Sequence, residues 1–199
     1  MASLRRTECV CAKCGKRFEE QVYSSVDVDG TEESLSLKEK VVCGELFIKE
    51  CPGCGNRFVL REPFVYCDRI QKLIVCIADS PIKGETPEGW TARIVPDVGS
   101  LIEKIKIFDA GLDDVAVELC KFVTASEIGK DVRLKFLKLE GADNDLIFSY
   151  PGESGMEMLS VGFNVYEDSR GILSRNPAIS EDATGLSRVD ADWLAKFIK

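Results

Sequence analysis

The chain carries the pattern C-x-x-C-G-x-R-F twice, and this repeat constrains its fold more than any other feature of the sequence. One copy begins at Cys11 and the other at Cys51. A C-x-x-C-G turn brings two thiolates close together, and the glycine tolerates the positive φ that such a turn needs. Two such turns supply the four thiolates of a tetrahedral structural zinc site. The repeat therefore predicts one metal site with the ligands Cys11, Cys14, Cys51 and Cys54.

The expected metal is zinc, and iron stays open as the alternative. Four thiolates also suit a single iron, as in the C-x-x-C-G and C-P-x-C-G pairs of rubredoxins, and tetrahedral geometry alone does not separate the two metals. Rubredoxins are small and rich in aromatic residues, whereas the first part of this chain has few aromatics and a longer segment between its cysteine pairs. The chain has no histidine, and four cysteines fill every position of a tetrahedron. We therefore expect a structural rather than a catalytic site.

The nine cysteines of the chain favour metal ligation over a disulfide framework. Their number is odd, two C-x-x-C pairs are present, and no apolar segment of a secretory signal follows the basic start, so we expect a cytoplasmic protein. A thioredoxin-like redox motif is the other interpretation of C-x-x-C, but it normally has no symmetric partner. We assign no role to the remaining cysteines, which are Cys9, Cys43, Cys67, Cys76 and Cys120.

The composition is that of a globular protein, with 45% hydrophobic and 30% charged residues and a net charge of −8. No apolar run reaches the roughly 18 residues of a membrane span, so we expect no membrane association. Residues 1–79 hold 12 basic and 13 acidic side chains, and the rest of the chain holds 14 and 21. The acidic surplus disfavours nucleic acid as a partner and confines any such role to the N-terminal part.

Hydrophobic spacing predicts an α+β protein. Residues 1–80 are expected to form a zinc-ribbon-like β unit into which a short helix at residues 31–43 is inserted. Residues 81–99 contain three prolines and several glycines, so we interpret them as a linker. Residues 100–199 are expected to form an α+β domain with a helical hairpin, an antiparallel β-meander and a C-terminal helix.

The helical hairpin is predicted from its capping residues. Ser100 and Glu103 fit a capping box at the start of the first helix, and Gly111 is placed to end it. Asp113 and Asp114 would begin the second helix, where the helix dipole favours negative charge.

The rest of the second domain reads as three strands and a short helix. The strands are expected at residues 132–139, 145–150 and 156–165. Residues 179–187 read as a loop, and residues 190–198 as an amphipathic helix.

Several segments together resemble the CpXC domain of bacteria and archaea. The resemblance covers residues 8–125 and extends weakly to the terminal helix around Trp193. It departs at Ala12, where the family motif has proline, and at Cys67, where a histidine is expected. The segments that carry the resemblance are Cys11-x-x-Cys14-Gly, residues 37–40 leading to Gly44-Glu-Leu-Phe, Cys51-Pro-x-Cys54-Gly, residues 61–68 and residues 101–114. The resemblance implies a zinc-binding module to which no established activity is attached.

The function expected from these observations is a non-catalytic, zinc-binding adaptor or regulatory module whose partner is another protein. Without histidine, Ser-His-Asp and Cys-His mechanisms are excluded. A nucleic-acid-associated zinc ribbon is the alternative, because Lys13, Lys16, Arg17, Arg57 and Arg61 flank the cysteine pairs. An enzyme with a site between the two halves, built from Glu, Asp, Lys or Tyr, ranks last because no such residues converge in the sequence.

Overall fold

A computed structural model describes residues 1–78, 86–128 and 132–198 of the chain. The chain divides into two compact units, Met1–Ile102 and Glu103–Lys199. Strands and helices occur in both units, which confirms the predicted α+β class.

The first unit contains seven strands among its described residues. They are β1 (Ala2–Val10), β2 (Arg17–Val28), β3 (Ile48–Glu50), β4 (Arg57–Val59), β5 (Phe64–Asp68), β6 (Leu73–Ile77) and β7 (Thr91–Val95). Helix α1 (Glu32–Val42) and a 3-10 turn (Glu45–Phe47) lie between β2 and β3. The sheet order within this unit is β1-β2-β5-β6-β7, and β3 pairs with β4 in a separate hairpin.

Helix α1 forms where the sequence predicts it, and strand β2 precedes it. Val22 and Val26 lie on the buried face of β2, as the period-two spacing indicates. The hydroxyl of Thr31 accepts a hydrogen bond from the backbone N–H of Ser34 at 3.3 Å and caps the N-terminus of α1. Gly44 follows the helix in a left-handed conformation, with φ of 81°, which only glycine adopts at little cost.

The segment interpreted as a linker contains β7. Its residues Ala92 and Val95 are buried, and the strand pairs in parallel with β6. Prolines flank the strand rather than interrupt it, so pairing with β6 overrides the turn-like composition around it. Residues 79–85 lie outside the described residues. Domain boundaries at 80 and 100 stay a prediction.

The second unit begins inside a helix, because α2 (Val98–Asp109) crosses the division between the units. Its further elements are α3 (Asp114–Glu127), β8 (Lys135–Glu140), β9 (Asp145–Gly152), β10 (Gly155–Val161), α4 (Phe163–Arg175), α5 (Pro177–Asp182), β11 (Leu186–Ser187) and α6 (Ala191–Leu194). Strands β10, β9 and β8 pair antiparallel in that order. This arrangement confirms the predicted meander.

The helical hairpin forms, but its first helix is capped differently from the prediction. The carboxylate of Asp97 accepts a hydrogen bond from the Ser100 backbone N–H at 2.7 Å, so α2 begins one turn earlier than a capping box at Ser100 requires. Gly111, with φ of 70°, ends the helix. The Asp113 carboxylate then caps α3 by accepting from the Val115 N–H at 2.8 Å.

Three predictions near the C-terminus need correction. The strand expected at residues 156–165 ends at Val161, because helix α4 begins at Phe163. Helix α5 occupies part of residues 179–187, where a loop was expected, because Pro177 suits the first helical turn. The terminal helix is only Ala191–Leu194, capped by Asp190, whose carboxylate accepts from the Trp193 N–H at 2.9 Å.

Four buried ionisable side chains of the second unit form a network of ion pairs with a partly buried lysine, Lys121. We call these five residues the charged cluster: Glu103, Lys104, Asp114, Glu118 and Lys121. The Lys104 ammonium lies 2.8 Å from an Asp114 oxygen and 3.7 Å from a Glu118 oxygen. The Lys121 ammonium lies 2.9 Å from Glu103 and 2.7 Å from Glu118. Each ammonium therefore contacts two carboxylates, and Glu118 links the two halves of the cluster.

None of the helices among the described residues is both long and apolar enough to cross a membrane.

Candidate metal centre

Both copies of the repeat form the loop of an antiparallel β-hairpin. The first loop connects β1 to β2, and the backbone N–H of Cys11 donates to the Lys16 carbonyl at 3.0 Å. The Gly15 N–H donates to the Cys11 carbonyl at 2.8 Å, and Gly15 has a φ of 72°. The two hydrogen bonds close the turn and direct the first cysteine pair to one side of it.

The second loop, between β3 and β4, repeats this geometry. The N–H of Cys51 donates to the Asn56 carbonyl at 2.9 Å, and the Gly55 N–H donates to the Cys51 carbonyl at 2.9 Å. Pro52 stands where the first loop has Ala12. Because both loops make the same two hydrogen bonds, the absence of the family proline at position 12 leaves the turn intact.

The two loops bring together the four cysteines that the sequence nominates. The ligand sulfur atoms of Cys11, Cys14, Cys51 and Cys54 all lie within 4.8 Å of one another. Cys11 Sγ is 3.7 Å from Cys54 Sγ, and Cys14 Sγ is 3.6 Å from Cys51 Sγ. A zinc–sulfur bond of about 2.3 Å places the sulfurs of a regular tetrahedron roughly 3.8 Å apart. The donor atoms therefore match a tetrahedral thiolate site in type, number and spacing.

The pKa values of the Cys11 and Cys54 thiols are shifted in opposite directions. The backbone N–H of Cys14 is the main group that lowers the pKa of Cys11 to about 6. The Asn56 N–H lowers the pKa of Cys54, but burial and the neighbouring sulfurs outweigh it and raise that pKa to about 12. Thiolates in contact oppose each other's ionisation, and a divalent cation removes that opposition. The electrostatics of the site thus favour a bound cation.

Packing outside the loops also joins the two hairpins. The rings of Phe18 on β2 and Phe58 on β4 meet edge to face, with centroids 6.4 Å apart. The Lys49 ammonium on β3 donates to the Gln21 carbonyl at 3.1 Å and lies 3.4 Å from a Glu20 oxygen. In each copy of the repeat, the Arg-Phe part therefore begins a strand and places a phenylalanine where the two hairpins pack together.

The other cysteines do not join this sulfur group. Cys9, Cys76 and Cys120 are buried, Cys67 is partly buried, and Cys43 is exposed. Burial raises the pKa of Cys120 to about 11, which is typical of an inert thiol in an apolar environment. Within residues 1–78, 86–128 and 132–198, the four repeat cysteines are the only Cys, Asp and Glu group with metal-binding geometry.

Strand β1 is part of the site and was not predicted from the sequence. It supplies the strand that precedes the first loop, and its Thr7 hydroxyl donates to the Glu62 carboxylate at 3.3 Å. The signal that could have predicted β1 was the first C-x-x-C turn itself. A C-x-x-C turn that closes a hairpin requires a strand on each side, and only β2 has clear apolar alternation.

A family model described as CpXC protein matches residues 9–121, which is more than half of the chain. The match includes both cysteine loops, α1 and most of the helical hairpin. Comparison with curated proteins and with solved structures gave no significant match.

Proposed function

The chain belongs to the CpXC family, and we propose that it is a non-catalytic protein in which Cys11, Cys14, Cys51 and Cys54 hold one structural zinc ion. The observation that carries this proposal is the convergence of four sulfur atoms from two hairpin loops within 4.8 Å. Zinc would offset part of the negative charge of the thiolates and join the hairpins. Four protein ligands leave no position for water, so the ion would stabilise structure rather than activate a substrate.

Metal analysis of protein purified without added metal tests the proposal directly. We expect about one equivalent of zinc per chain, and less than half an equivalent of any metal in reduced protein would contradict it. A Cys51→Ser, Cys54→Ser double variant should lose the metal. Cys43→Ser is the matched control, because Cys43 is exposed and lies outside the sulfur group. One equivalent of iron, with the visible absorption of an iron–thiolate site, would support the alternative metal.

The proposed role of the zinc-bearing unit is to bind another protein. Apolar side chains are exposed on the strands that flank the loops, with exposed fractions of 56% for Val10 and 53% for Val59. Exposed apolar groups beside a rigid metal-held loop suit a protein contact. Affinity capture from native lysate should recover partners with the wild type and lose them with the Cys51→Ser, Cys54→Ser variant. Partners that bind both proteins equally, or no partners at all, would contradict this role.

A nucleic-acid-binding ribbon is the second candidate, and one observation favours it. Lys13, Lys16 and Arg57 are exposed at the loops, and so is Arg17, which forms only a solvent-exposed pair with Glu8 at 3.4 Å. Binding to DNA or RNA that weakens steeply with salt would support this role. Flat titrations at low salt, or equal binding by a Lys13→Glu, Lys16→Glu variant, would dismiss it.

A further inference from the structure

The four cysteines differ in exposure, and the difference follows their position in the loop. Cys11 and Cys51, the first cysteine of each loop, are each only 1% exposed. Cys14 and Cys54, the second cysteine of each loop, are exposed residues. The second cysteine of each loop is therefore more accessible to an oxidant in solution than the first.

The close sulfur contacts join one exposed and one buried cysteine from opposite hairpins. Exposed Cys14 meets buried Cys51 at 3.6 Å, and exposed Cys54 meets buried Cys11 at 3.7 Å. A disulfide needs a sulfur separation of about 2.05 Å, so each pair has to close by roughly 1.6 Å. Each accessible sulfur thus has a protected thiolate within short reach, in the opposite loop.

We propose that this centre releases its metal on oxidation by forming two disulfides between the hairpins, Cys14–Cys51 and Cys11–Cys54. The inference rests on the proposed zinc site and adds a regulation to it. The exposed cysteine of each pair reacts first, and the buried cysteine resolves it.

The chemistry balances with hydrogen peroxide as the two-electron oxidant. The Cys14 thiolate attacks one peroxide oxygen, the O–O bond breaks, and a sulfenic acid and hydroxide form. The Cys51 thiolate then attacks the sulfenic sulfur, which forms the S–S bond and expels a second hydroxide. Two protons from solvent convert both hydroxides to water. Cys54 and Cys11 react in the same way, so two peroxides and four protons yield two disulfides, four waters and one free zinc ion.

The pairing matters because the disulfides would replace the metal as the link between β1–β2 and β3–β4. Disulfides within each C-x-x-C would instead leave the hairpins without a covalent or metal link. Disulfides between the hairpins preserve the arrangement of the loops, so reduction restores four thiolates at the original site. The centre would then release and rebind zinc without refolding of the unit.

Peptide mapping of the oxidised, full-length protein tests the pairing. Trypsin cuts after Lys13 but not between Cys51 and Cys54, so Cys11, Cys14 and the second pair fall in separate peptides, 7–13, 14–16 and 50–57. Protein of measured zinc content is treated with two equivalents of hydrogen peroxide, alkylated and digested. We expect one equivalent of released zinc and a single species of three linked peptides. Fragmentation of peptide 50–57 should assign Cys51 to Cys14 and Cys54 to Cys11.

A disulfide inside peptide 50–57, the opposite pairing, or no zinc release at two equivalents would each overturn the proposal. The initial zinc content distinguishes failure of the redox proposal from failure of the metal site. Protein that contains no metal overturns both proposals. Protein that contains zinc but forms the wrong disulfides overturns only the redox proposal. A Cys9→Ser variant removes the second cysteine from peptide 7–13, and zinc release and pairing should not change. In the Cys14→Ser variant, the Cys11–Cys54 disulfide should form while Cys51 stays reduced. A disulfide inside peptide 50–57 would show instead that Cys54 is resolved by Cys51 of its own loop, which contradicts the proposed pairing.

Discussion

Each unit holds a cluster of ionisable side chains, and the two clusters differ in where their balancing charge originates. In the charged cluster of the second unit, Lys104 and Lys121, together with the partly exposed Lys135, lie against Glu103, Asp114 and Glu118. The sulfur group of the first unit has no comparable cation among its own members. The carboxylates of one cluster are paired with lysines of the chain, whereas the proposed metal site would take its balancing charge from an ion in solution.

This difference separates the two units in their expected response to metal and to mutation. A buried ion pair is costly to break because removal of one partner leaves an uncompensated charge. A metal-thiolate site is costly to empty because binding of the ion is coupled to folding. Metal removal should therefore destabilise the first unit, and substitution of a lysine of the charged cluster should destabilise the second.

Chelation of zinc should have the largest effect, and it should be confined to the first unit. The β3–β4 hairpin has only three paired positions, against nine for β1–β2, and a short isolated hairpin is marginal in water. Structural zinc contributes on the order of 10 kcal/mol in zinc-finger peptides. Hydrogen exchange should show loss of amide protection at Ile48–Glu50 and Arg57–Val59, with protection at Asp145–Gly152 retained.

Zinc added back to the reduced protein should restore the protection. Equal loss of protection in both units would contradict the proposed difference between them.

Lys121→Met should destabilise the second unit by up to about 3 kcal/mol, because Glu103 and Glu118 lose their shared ammonium but keep Lys135 and Lys104 as partners. The measurement is urea unfolding followed by Trp193 fluorescence in a Trp90→Phe background. The matched control is Lys138→Met, because Lys138 pairs with Glu140 at an exposed position, where such pairs contribute no more than about 1 kcal/mol. Similar midpoints for the two variants would show that the cluster does not stabilise the unit.

Acid should weaken the second unit through Glu103. Burial alone would raise the pKa of this carboxyl, but Lys121 and Lys135 lower it below its ordinary value of 4.5. A carboxyl whose pKa is lower in the folded state stabilises the fold above its unfolded pKa, and this contribution fades as the pH falls below about 4.5. The urea midpoint should therefore decrease from pH 5 to pH 3. Glu103→Gln should make the urea midpoint less dependent on pH. If the pH dependence is unchanged in this variant, carboxyls other than Glu103 cause the decrease.

Ala12→Pro should give the smallest effect, a stabilisation of about 0.4–1 kcal/mol. Proline restricts the unfolded chain, and Pro52 already occupies the equivalent position in a loop with the same hydrogen bonds. The zinc-loaded protein should unfold at a slightly higher temperature. Pro52→Ala should shift the temperature in the opposite direction by a similar amount. A destabilising Ala12→Pro would show that the two loops are not equivalent.

The candidate site was predictable from sequence because its information is local. Each C-x-x-C-G turn spans only five residues, and its hydrogen bonds run between the cysteine, the glycine and the residue after the glycine. The helical hairpin was predictable for the same reason, since Gly111 and Asp113 act on their own helices. The short helix after β2 likewise has its cap, Thr31, next to its first turn.

Some contacts were not predicted from the sequence, because a distant partner decides them. Residues 91–95 resemble a linker in composition, yet β6 supplies a strand with which they pair. Glu103 has the spacing of a capping residue, but its carboxylate instead accepts from the Phe136 N–H at 2.9 Å and pairs with Lys121. Neither partner is visible in a short sequence window.

The sequence by itself determined the type and number of the clustered sulfur donors and the absence of histidine from them, because these depend on residue identity and short spacing. Only the tertiary structure decided which of the four cysteines are exposed, which sulfurs meet across the hairpins and which lysines pair with the buried carboxylates. Those properties depend on contacts between segments tens of residues apart, which form only when strands pair and helices pack.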